Sequence, residues 1–107
     1  MKLNLLERVM LISILPQEAN FVDLKIVNDL RMAASFTEKE VKEYGITTDE
    51  DRVNWLPEAA EKQKDIDVGA RGIEIITKAL TKLNDEEKLS VQTYTLYEKF
   101  MIQLKIK

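Results

Sequence analysis

The stretch "FTEKEVKEYGITTDEDRVNWL", Phe36 to Leu56, decides the fold, because the spacing of its apolar residues changes partway along it. In its first half Thr37 and Glu40 stand at capping-box spacing, and Phe36 and Val41 flank them as a hydrophobic staple. Gly45 follows where a helix expects its C-terminal glycine. The spacing predicts a short helix from about Glu38 to Tyr44. From Ile46 onward the period drops to two: Ile46 with Thr48, Val53 with Trp55, and later Ile66 with Val68. Asp49-Glu50-Asp51 reads as the charged turn of a hairpin.

Beyond it runs "NWLPEAAEKQKDIDVGARG", Asn54 to Gly72, which holds the only tryptophan and two of the three glycines. The link between Trp55 and Ile66 is too short for a parallel crossover, so a third strand would be antiparallel. Pro57 suits the first position of a helical turn within that link. Trp55, Val53, Ile66 and Val68 are expected to face inward together, with Gly69 turning the chain into the next helix.

Helices flank this small sheet on both sides. Asn4 and Glu7 have capping-box spacing, and Pro16 stops the run they open. Leu5, Val9, Ile12 and Leu6, Met10, Ile14 form two adjacent apolar rows, a broad face that belongs at the centre of a core. Asn20 caps a second helix, with Asp23 in its first turn and Leu24, Val27, Leu30 and Ala34 as its stripe, widened by Ile26 and Ala33. Ile73, Ile76, Leu80 and Leu83 mark a helix from about Ala70 to Leu83. Ser90 opens the last one, which carries Tyr94, Tyr97, Met101 in one row and Leu96, Phe100, Leu104 in another. The expected fold is α+β and predominantly helical: about five helices, with a small two- or three-stranded antiparallel sheet near residues 46–68.

Composition limits the chemistry. A chain of 107 residues that is 45% apolar should form one domain, 1–107, burying roughly 65% of its unfolded surface. It has no cysteine, which excludes disulfides, thiolate metal sites and cysteine nucleophiles. It has no histidine, which removes the commonest general base and imidazole ligands. The uncharged run from Val9 to Leu15 falls far short of the ~20 residues of a membrane span. Pro16-Gln17-Glu18 makes a poor signal-peptide cleavage site, so the expected compartment is the cytoplasm. A net charge of −3 argues against nucleic acid as a partner.

Three constellations invite a functional reading. Thr37 to Val68 holds ten acidic and five basic residues, a local charge of −5 for which a solvated surface is the simpler account. Asp49-Glu50-Asp51 fails the calcium-loop pattern, because Asn54 and Ala60 occupy the sixth and twelfth positions. In "VGARGIEII", Gly69, Arg71 and Gly72 at a helix start could offer N–H groups and a cation to an anion. The motif lacks the third glycine of a dinucleotide fingerprint and the Lys-Ser/Thr of a P-loop. Tyr94, Tyr97 and Met101 could form a partner surface, although their spacing is also that of ordinary core. The Lys105-Ile106-Lys107 end is basic but short.

The frame "LNLLERVMLISILPQEANFVDLKIVNDL", with "KLSVQTYTLYEKF" near the end, resembles small, uncharacterised proteins carried by phages and prophage-like elements. The resemblance spans most of the chain but holds no catalytic motif, so it implies a genomic setting and carries over no functional residue. With no cofactor motif, the expected role is a non-enzymatic one. The leading form is a protein–protein interaction or accessory protein that binds a host or phage protein, with a homodimer as one version. The alternative is an acidic decoy whose Glu38–Asp67 region competes for a basic, nucleic-acid-binding surface.

Overall fold

A computed structural model describes residues 1–50 and 52–103. Asp51 of the hairpin turn, Leu104 of the second apolar row and the Lys105–Lys107 tail lie outside the described residues. In chain order the elements are β1 (Lys2–Asn4), α1 (Leu5–Ile14), α2 (Phe21–Ala34), α3 (Glu38–Tyr44), β2 (Thr47–Asp49), β3 (Arg52–Asn54), β4 (Gln63–Asp65), α4 (Gly69–Asp85) and α5 (Tyr94–Tyr97). A 3₁₀ turn, Pro57–Ala59, precedes β4, with Pro57 at its first position as expected. Another, Val91–Thr93, leads into α5, and a π-helical stretch, Glu98–Gln103, continues it. The fold is α+β and dominated by helices.

The helix starts follow from local chemistry. Asn4 Oδ1 accepts from the Glu7 N–H at 2.8 Å, while Glu7 Oε1 accepts from the Asn4 N–H at 2.9 Å. Thr37 and Glu40 repeat the exchange at the head of α3, and Gly45 caps its end. Asn20 Oδ1 receives the Asp23 N–H at 2.9 Å, so α2 begins where its cap stands. Each such cap satisfies an N–H that the helix itself leaves unpaired, a contribution of about 1 kcal/mol.

The strands depart from expectation. They form two separate two-stranded antiparallel sheets, not one meander. The β2–β3 hairpin pairs Thr48 with Val53, and β4 pairs with the N-terminal strand in the register Leu3 to Lys64. The third strand therefore lies at 63–65, ahead of Ile66 and Val68. Its partner β1 is too short and too near the α1 cap to show a period of its own. Pairing with β4 buries Leu3 completely, and the Ile66 N–H donates to Met1 O at 2.8 Å just beyond the strand.

Trp55 also departs from its expected place. Ile66 is buried and Val68 packs against the core, but Val53 and Trp55 are only half-buried and lie outside the core cluster. A lone ribbon of three-residue strands has no second layer to cover both faces. What anchors it is backbone: the Leu56 N–H donates to Tyr44 O at 2.9 Å.

The core joins α1, α2, α4 and the last helix. Leu11, Ile76, Leu80, Leu96 and Phe100 have no exposed surface. Each such side chain contributes about 1.5–3 kcal/mol on burial. α1 packs on α2, on α4 and on the α5 region, but the residues it buries are Leu5, Glu7, Arg8 and Leu11, while Leu6, Val9, Met10, Ile12 and Ile14 of the expected rows are half-buried.

Candidate functional site

At the start of α4 the chain turns sharply, with Gly69 at φ 72°, a conformation that side chains disfavour. Gly72 is buried; a methyl group there would lie 3.0 Å from Val68 Cγ1 and 3.4 Å from Leu30 Cδ1. Arg71 does not point into open solvent waiting for an anion. Its Nε and Nη2 donate to the Asp23 carboxylate at 3.0 and 2.8 Å, and Nη1 donates to Glu74. Those hydrogen bonds hold the Asp23 carboxyl below its ordinary range and push the guanidinium pKa up. Gly69, Arg71 and Gly72 are thus brought together as a joint that ties the first turn of α2 to the first turn of α4.

The row Tyr94, Tyr97, Met101 is divided by the fold. Tyr94 is 62% exposed, whereas Tyr97 and Met101 are half-buried against the core. Val91, one turn before Tyr94, is also exposed.

Two adjacent charges on α1 are buried. Glu7 and Arg8 are each 1% exposed. The Arg8 guanidinium donates Nε to Ala34 O at 3.0 Å and Nη2 to Ser35 O at 2.8 Å, taking up carbonyls at the end of α2. Its Nη1 and Nη2 grip the two oxygens of Glu40 at 2.7 and 3.0 Å, and its plane lies 4.4 Å from the Phe36 ring centroid. The Arg8 hydrogen bonds, helped by the Thr37 N–H, hold the Glu40 carboxyl down to about 2. On the other side Glu7 Oε1 accepts from Lys99 Nζ at 2.7 Å, and Lys99 also donates to Lys2 O. Glu7 Oε2 has no partner among the described residues. The cluster clamps α1 to α2, α3, β1 and the last helix, and none of its members lines the groove described next.

That groove, about 640 Å³, runs between the end of α1 and the length of α2 from Leu24 to Arg31. Ile12, Pro16, Leu24 and Val27 supply its apolar lining, and Ser13, Gln17, Asn28 and Arg31 its polar lining. It is open to solvent, and small-molecule sites generally enclose most of their ligand, so its shape suits a chain segment better. Arg31 is its one charged lining residue and enters no ion pair among the described residues.

On the side adjoining the groove α2 exposes Phe21 at 75% and Met32 at 68%, with Leu24 at 38% on the groove wall, while Val22, at 69%, is on the helix's far side. Nine large apolar side chains are exposed among the described residues, and four of them stand on this one helix. Scattered exposed hydrophobes are ordinary, but Phe21, Leu24 and Met32 stand on one side of a single helix next to a groove. The 24–27–30–34 stripe passed over Phe21 and Met32. The available signal was that apolar residues occur on every side of α2, more than one core-facing stripe can bury.

No family model, curated protein or solved structure matches this chain.

Proposed function

We propose that this is a small, non-enzymatic interaction protein whose working surface is the α1–α2 groove with the adjoining exposed face of α2. The observation that carries the reading is the concentration of exposed apolar side chains on α2 beside an open groove. A further feature supports it. The carboxylates of the Glu7–Arg8 cluster are engaged in structural pairs, Glu40 with Arg8 and Glu7 Oε1 with Lys99. The acidic-decoy reading draws less support, because Glu40 is committed to Arg8 and Asp65 to the N-terminal amine.

Affinity capture with the wild type, Leu24→Arg and a control Val91→Arg tests the reading. Captured protein should disappear with the Leu24 change and survive the Val91 change. Capture indifferent to Leu24 removes the groove from consideration.

A further inference from the structure

α2 carries on its outer side an arrangement that matches itself when turned end for end. At about 100° per residue, Phe21, Lys25, Asn28 and Met32 share an outward strip roughly 60° wide, with Asp29 on the Lys25 flank. Phe21, Lys25, Asn28, Asp29 and Met32 are all exposed. Val27, Leu30 and Ala34 face the other way, into the core. Phe21 and Met32 stand symmetrically about the middle of the helix, near residues 26 and 27. Lys25 and Asp29 are symmetric about residue 27 and carry opposite charges.

We infer that the partner seated on this face is a second copy of the same chain, with the two α2 helices packed antiparallel about a two-fold axis near residues 26 and 27. The inference rests on the interaction reading above and names its partner. In an isologous contact residue i meets j while j meets i. Here each Phe21 lies against the other copy's Met32, a favourable ring–thioether contact. Each Lys25 meets the other copy's Asp29, on the same flank in both halves. A foreign helix would need to supply a matching anion, cation, aromatic ring and thioether in this order; a second copy supplies them by symmetry. Asp23, the other acid of α2, is held by Arg71 and stays out of the contact.

Light scattering after size exclusion and sedimentation velocity, run over a concentration series, test this on the full chain. The wild type should move from 12.4 kDa toward twice that mass as concentration rises. Phe21→Ala should be monomeric with an unchanged circular dichroism spectrum. Lys25→Glu and Asp29→Lys should each weaken association by about tenfold or more, since each sets like charges opposite one another twice. The double exchange Lys25→Glu/Asp29→Lys should restore it. Circular dichroism and thermal unfolding of the monomer should be unchanged in the single variants, which an i,i+4 pair acting only within one helix would not leave unchanged. A wild type that stays monomeric throughout overturns the inference, as does a dimer insensitive to all three single changes. A monomeric wild type whose capture of another protein still depends on Leu24 would leave the interaction reading standing and reject only the second copy as occupant.

Discussion

α1 and α2 are neighbours with opposite habits. α1 buries two charges, Glu7 and Arg8, to 1% exposure, while α2 leaves Phe21 and Met32 more than two-thirds exposed. Both break the rule that charge goes out and apolar surface goes in, and the difference lies in compensation. Arg8 donates four hydrogen bonds, two to carbonyls around the end of α2 and two to Glu40, so its burial is offset bond by bond. Among the described residues nothing covers Phe21 or Met32. The Arg8 irregularity is compensated within the fold, and the exposed apolar side chains of α2 are not.

The comparison breaks first at Arg8. Arg8→Met should cost about 3–5 kcal/mol in denaturant unfolding, because it strips the Glu40 carboxylate of its guanidinium partner and the Ala34 and Ser35 carbonyls of their donor. A loss below about 1 kcal/mol would mean that the cluster is not architectural. Lys99→Met should follow at about 2–3 kcal/mol, since it strips the buried Glu7 of its cation.

Acid sharpens the same contrast. The Glu40 carboxyl is held at about 2 against an ordinary 4.5, so the folded state binds its proton less readily than the unfolded chain. The stability it lends is complete above about pH 4.5 and is lost as pH falls toward about 2. Glu40→Gln should therefore cost about 1–2 kcal/mol at neutral pH, and the gap between the two proteins should close across that acid window. At the small end, Phe21→Ser and Met32→Ser should each change the stability of the monomer by less than about 0.5 kcal/mol, measured at concentrations too low for association. A larger loss at either position would show that α2's outer face is held within the fold.

The local chemistry of the helices was legible in the sequence because capping acts over three or four residues. Asn4, Asn20 and Thr37 begin their helices where their side chains reach the third N–H beyond, and Gly45 ends one. Strand pairing was less legible. The hairpin is local and was found, whereas β1 and β4 are partners separated by about sixty residues, and a three-residue strand shows almost no period. Trp55 misled for a related reason: alternation names a face but not whether another layer covers it. Of the candidate site residues, Gly69, Arg71 and Gly72 are adjacent in the chain, yet the partner that occupies Arg71 is Asp23 from another helix.

The sequence by itself therefore determined where helices start and stop, that the fold is a helical α+β one, and that thiol and imidazole chemistry are out of reach. These rest on composition and short-range hydrogen bonding. Only the tertiary structure decided which charges are buried, which strand pairs with the N-terminus and which apolar residues remain uncovered. Burial is a property of neighbours brought together by packing. Glu7 served as an N-terminal cap in sequence and as the partner of Lys99 in space, and no local pattern contains the second role.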